Sequence, residues 1–128
     1  MADPGRSTAE RESQRLGRFG EHQAVRYLET QGYRVLERNW RCRHGEIDVV
    51  ASRDGVLVFV EVKTRTSAAF GHPFEAITVA KLRRMHVLAR LWCEAHPRAR
   101  GAVRLDVIGI LAPIGEVPRI EHLEGVHA

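Results

Sequence analysis

Four ionisable side chains bracket the stretch GEIDVVASRDGVLVFVEVK: Glu46 and Asp48 near its start, Glu61 and Lys63 at its end. The residues between them are apolar enough for buried strands, and Asp54-Gly55 is a dipeptide that favours a two-residue hairpin turn. With those two residues as the turn, Arg53 faces Val56, and the register sets Asp48 opposite Glu61 and Glu46 opposite Lys63. Alternation along each strand then sends all four side chains to one face. Glu61 and Lys63 share a face in any register, whereas a bulged turn would slide the pairing of Asp48 by a residue.

Directly opposed residues have Cβ atoms roughly 5 Å apart, and two carboxylates at that distance repel by roughly 3 kcal/mol at an effective dielectric of about 20. A structural hairpin could shed that repulsion with one threonine. Three readings explain why it persists. A divalent cation would turn the pair into hard oxygen ligands. A shared proton would raise one pKa. A solvated four-charge cluster at a strand end, with Lys63 offsetting a neighbour, is equally compatible with the spacing.

Lys63 adds a chemical argument. Hydrolysis of a phosphodiester needs charge stabilisation on the phosphate and an activated water. Two carboxylates can hold Mg²⁺, and a lysine two residues beyond the second can orient the water or stabilise developing charge. Asp48 followed by Glu61-Val62-Lys63 is the Asp…Glu-x-Lys arrangement of the PD-(D/E)xK nucleases.

The elements that must position these groups follow from pattern. Leu16, Phe19, Ala24, Tyr27 and Leu28 recur at helical spacing, and Gly32 ends that helix. Gly17 and Gly20 within it predict close backbone packing. YRVLERNWR, GEIDVVA and VLVFVEVK read as three strands. A second helix starts near Phe74 or at a Thr78 cap and runs to about Ala95, with Leu82, Met85, Ala89 and Trp92 facing inward. Ala102 to Leu111 is a fourth strand, expected parallel to the third through a right-handed crossover, and PRIEHLEG is a candidate edge strand. The outline is α/β: an α-β-β-β-α-β core, a mixed sheet flanked by helices. Residues 1 to 13 read as a mobile polar tail and 14–128 as one domain.

Several blocks in order, GRFGEHQAVRYLETQGYRVLERNWR, GEIDVVA, VFVEVKTR, FGHPFEAIT and RLDVIGI, resemble the YraN-like family of small bacterial proteins. The resemblance runs from about Gly17 to Ile110. It implies a restriction-endonuclease-like fold, similar to Holliday-junction resolvases, and an endonuclease using Mg²⁺ or Mn²⁺ on branched or structured DNA. Carried over residue by residue, the metal-binding acid falls on Asp48, the second acid on Glu61, the lysine on Lys63 and a first-helix glutamate on Glu21. Ile47 stands where the superfamily usually has proline. Glu21 alone would read as a solvated helix residue. Resolvase-like relatives often act as dimers, which leaves a homodimer open.

The remaining signals bear on partners. The 128 residues carry 20 Lys and Arg against 16 Asp and Glu, a net charge of +4 that leans mildly toward a polyanion. Arg43, Arg65, Lys81 and Arg84 are the expected phosphate contacts, giving structure-specific rather than sequence-specific DNA binding, while Arg83 and Arg90 fit a solvated helix face equally well. Glu46 is expected beside the metal ligands or paired with Lys63, and Asp106, which shares a face with Arg104, in an ion pair between elements. His44 and His72 lie near the site loops without ligand spacing. Two cysteines, Cys42 and Cys93, with no zinc or disulfide pattern, fit a reducing cytoplasm, and no run reaches membrane-spanning length. The competing reading is a non-catalytic nucleic-acid-binding or scaffold protein on the same fold.

Overall fold

In the computed structural model, which describes residues 7–127, the order is helix α1 (Thr8–Thr30), strands β1 (Arg34–Cys42), β2 (Gly45–Arg53) and β3 (Val56–Arg65), helix α2 (Val79–Ala95), then strands β4 (Ala102–Leu111) and β5 (Arg119–Leu123). Two short 3₁₀ turns, Ala68–Phe70 and Pro73–Ala76, lie between β3 and α2. The five strands form one sheet in sequence order. β3 and β4 are parallel; the other neighbours are antiparallel. The α/β core with its crossover helix is therefore as the pattern predicts, and PRIEHLEG does supply the edge strand.

α1 begins earlier than its apolar stripe. Ser7 caps it by accepting the Glu10 N–H, so residues 8 to 13 are helical rather than part of a tail; residues 1–6 lie outside the described residues. Polar residues carry a helix forward from a good cap without needing a buried face. At the other end Gly32, at φ 86°, closes a Schellman motif: its N–H reaches the Glu29 carbonyl, and the Tyr33 N–H reaches that of Leu28.

The two helices cover opposite faces of the sheet. Ala24, Val25 and Leu28 of α1 pack on Val49, Ala51, Val58, Val60, Ile108 and Ile110. Met85, Leu88, Ala89 and Trp92 of α2 pack on Val50, Leu57, Phe59 and Leu105. Successive strand residues thus alternate between the two cores. Gly20 lets α1 lie against β3, because a Cβ there would collide with the Thr64 side chain. Gly17 has no such role; a Cβ on it would meet open space.

Asp54 and Gly55 both have positive φ, 52° and 78°, the type I′ geometry that matches strand twist. Arg53 faces Val56 as the pattern requires, and the pairs run to Val49 with Val60. There the β2–β3 ladder stops, one pair short of Asp48 and Glu61.

Candidate functional site

Where the ladder ends, the Asp48 side chain takes over. Its Oδ2 accepts the Val62 N–H at 2.8 Å, a donor that a continued ladder would have set against Ile47. Ile47 itself packs in the α2-side core, although two-residue alternation from Val49 would send it to the α1 side. β2 has turned about its axis here, and Asp48 stands at the fork between the strands, where it lines a cleft on the α2 side. Its buried carboxylate is anchored by backbone.

From the α1 side comes Glu21, one turn from Gly17. Single oxygens of Glu21, Glu46 and Asp48 all lie within 4.8 Å of one another. The α2 side contributes Glu61, which shares a side-chain hydrogen bond with Asp48. Desolvation, reinforced by the charge of Glu61, pushes the Asp48 pKa up to about 8. Burial likewise raises Glu61, against the pull of Lys81 and then Lys63. Burial also raises Glu21, partly offset by a hydrogen bond from the Asn39 side chain. Three acids thus hold protons more tightly than free carboxylates do.

Two clefts meet at Glu46. One, of about 160 Å³ between the β2–β3 fork and α2, is lined by Asp48 and Glu61 together with Lys81, Arg84, Met85 and Leu88. The other, of about 460 Å³ between α1 and β1, is lined by Glu21 with Arg18, Asn39 and Arg41 among others. Asn39 is held at φ 53°, a left-handed conformation that asparagine tolerates better than most residues.

The structure brings Asp48 and Glu61 together with Glu21, the residue named only through the family resemblance, and sets Glu46 beside them, the first of its two expected places. Glu46 does not pair with Lys63; it faces Arg41 across the β1–β2 ladder, with Arg41 Nε to Glu46 Oε2 at 2.8 Å. Lys63 is half-buried on β3 beyond Glu61 and does not line the acidic cleft, whereas Lys81 and Arg84 do. Arg43 and His44 form the exposed β1–β2 turn and line neither cleft, although the next residue, Gly45, lines the acidic one. Arg65 also lines neither cleft; its Nε is buried without a hydrogen-bond partner. His72 caps the second 3₁₀ turn and bonds Glu121 at 2.8 Å. Asn39 and Arg18 were silent in the sequence. Only the fold of β1 against α1 reveals them.

Asp106 is no part of this site. Fully buried on β4, it accepts from Arg104 on its own strand, from His122 of β5 at 2.6 Å and from the Gly125 N–H at 3.1 Å. Burial alone would raise its pKa, but those donors outweigh it and hold the carboxylate ionised. Its ion pair with Arg104 lies within one strand, and His122 makes the link between elements.

A small divalent cation fits the acidic fork. Opposite oxygens around such an ion are roughly 4 to 5 Å apart, which is the span of the Glu21, Glu46 and Asp48 oxygens. A cation would also offset the charge of Glu61 that helps to raise the Asp48 pKa. Carboxylates alone supply the hard donor set such an ion prefers.

Comparison with known proteins adds family but no chemistry. A family model described as "Uncharacterised protein family UPF0102" matches residues 20–110. A UPF0102 protein of Clavibacter michiganensis is 56% identical over 84% of this chain and 92% of its own length. One of an Arthrobacter species is 54% identical, covering 87% and 94%, and one of Mycolicibacterium vanbaalenii is 46% identical, covering 87% and 92%. No helix among the described residues is long and apolar enough to cross a membrane.

Proposed function

The chain belongs to the UPF0102 family, also called the YraN family, and on that footing we propose that it is a metal-dependent DNA endonuclease acting on structured or branched DNA. The observation that carries this reading is the acidic fork. A buried aspartate is fixed by backbone beside three further carboxylates, with Lys81 and Arg84 on the wall of the same cleft. A purely structural cluster gains nothing from holding several acids with raised pKa values.

Glu21, Glu46 and Asp48, with Glu61 beside them, would hold Mg²⁺ or Mn²⁺. Such an ion supplies charge neutralisation at the phosphate and acidifies a bound water. The protein's own part is positioning. Val62 N–H fixes Asp48, and Asn39 steadies Glu21. Lys81 and Arg84 attract the phosphodiester into the cleft. Lys63, near enough to lower the pKa of Glu61, supplies a further positive charge next to the second acid.

The test is cleavage of single-stranded, duplex and junction DNA with Mn²⁺, comparing the wild type with Asp48→Ala and Lys63→Ala. The expected loss is at least about 100-fold, the scale on which a charge-stabilising group acts. A wild type that cuts no better than both variants ends the enzyme reading. What favours the second reading, a non-catalytic DNA-binding protein, is that Lys63 stands outside the cleft. Salt-dependent DNA binding that survives Asp48→Ala without any cleavage would establish it.

A further inference from the structure

The larger of the two clefts is not explained by metal binding. It adjoins the acidic fork at Glu46, and at about 460 Å³ it falls within the usual range for a small-molecule site, roughly 300–1,000 Å³. The acidic cleft, at about 160 Å³, falls below that range. One wall of the larger cleft is a face of α1, where Gln14, Gly17, Arg18 and Glu21 recur at helical spacing; the other is Asn39 and Arg41 of β1. Cations stand beside side-chain amides, and the acids sit at the end that meets the fork.

We infer that this α1–β1 cleft is a subsite for the nucleotide next to the scissile phosphate, and that the substrate is therefore a DNA strand with unpaired nucleotides. The inference rests on the nuclease reading and gives it a substrate class. Arg18 is exposed and Arg41 keeps further N–H donors beyond the Nε that holds Glu46, so a phosphate finds two cationic contacts. Asn39 carries an amide that both donates and accepts, the kind of group a base edge needs. Among the described residues the lining contains no aromatic ring, so stacking contributes little and sequence preference is weak. A cleft walled by a helix and a strand takes a nucleotide only when it is swung clear of its neighbours, which a stacked duplex resists.

Gly17 offers a clean test. A side chain there meets open space and φ is ordinary, so Gly17→Leu fills the cleft while raising helix propensity. Binding of a short labelled DNA single strand, and of the duplex of the same sequence, is measured in Ca²⁺ for wild type, Gly17→Leu and Arg18→Glu. Mn²⁺ affinity by titration calorimetry and the melting temperature serve as controls. The expected result is single-strand binding weakened at least about fivefold in both variants, with Gly17→Leu keeping wild-type Mn²⁺ affinity and melting no lower than wild type. Wild type that cleaves, with both variants binding and cutting equally well, overturns the subsite and leaves the nuclease standing. Weakened binding in the variants, with no cleavage by wild type, upholds the subsite and removes the nuclease. Wild type that prefers the duplex also overturns the inference.

Discussion

Asp48 stands in for a strand partner of Val62. Its Oδ2 receives the Val62 N–H at 2.8 Å just past the last β2–β3 pair, so the fork between two strands is pinned open by an acid. The arrangement meets a backbone donor's need and fixes the carboxylate at once. It also leaves that carboxylate buried beside Glu61, Glu21 and Glu46, each of which pushes its pKa further upward.

The sign of the resulting pH dependence is unusual for an aspartate. Unfolded, Asp48 ionises near its ordinary value of 3.8; folded, burial and then Glu61 hold it protonated up to about 8. Between those limits the folded state keeps a proton that the unfolded state has lost. Stability of the metal-free protein therefore falls as pH rises through that window, by at most about 1.4 kcal/mol per unit. Urea denaturation at a series of pH values should show the decline, and Asp48→Asn, which keeps an acceptor for Val62 but cannot ionise, should flatten it. A wild-type profile rising from pH 5 to 8 would contradict this account.

Cation binding must compete with the same proton. Mn²⁺ is expected to bind more tightly as pH approaches 8 and to release protons on binding. Titration calorimetry in buffers of different ionisation enthalpy measures the release directly. At 100 times the dissociation constant the ion should stabilise the fold by about 2.7 kcal/mol, visible as a raised melting temperature that Asp48→Asn loses. Mn²⁺ affinity independent of pH would mean the ion is held elsewhere.

Asp106 gives the opposite sign. Its donors, His122, Arg104 and Gly125, overcome the cost of burial and hold its pKa below 3.8. It therefore stabilises the fold at neutral pH, and that contribution is lost as pH falls through the depressed value. Asp106→Asn leaves the Arg104 guanidinium and the buried His122 ring without their anion, and should cost roughly 3 kcal/mol in urea denaturation at pH 7. It should also flatten the acid limb of the profile. A loss below about 1 kcal/mol would mean the network relaxes around the change.

The hairpin was legible because its determinants are local. Asp54-Gly55 dictates a turn with both φ positive, and the register of Val49, Val60 and their neighbours follows from it. What local pattern could not carry was the end of the ladder. The twist that takes Ile47 into the α2-side core depends on Met85 and Leu88, about forty residues away in sequence. The alternative pairing of Glu46 with Lys63 fails for a related reason: its partner, Arg41, comes from β1, and the pattern weighed only β2 against β3. Gly17 and Gly20 look alike in the helix, yet one meets Thr64 and the other a cleft, a difference set by how α1 crosses the sheet. Nothing periodic marks Asn39.

Two lysines near Glu61 should separate by role. Lys81, from α2, lines the acidic cleft and is the stronger of the two in lowering the Glu61 pKa; Lys63, on β3, acts on Glu61 from outside the cleft lining. A residue on the cleft wall contacts substrate in the ground state and the transition state alike, so its removal weakens binding with little change in turnover. Lys81→Ala is therefore expected to raise KM about tenfold and lower the salt slope of DNA binding by about one, with kcat nearly unchanged. Lys63→Ala should lower kcat and kcat/KM together by about 100-fold while leaving DNA affinity within a factor of about two. The discriminating measurement is single-turnover cleavage beside equilibrium binding in Ca²⁺. If Lys81→Ala abolishes turnover and Lys63→Ala only weakens binding, the charge that meets the reacting phosphate comes from α2, and Lys63 serves to hold Glu61 in place.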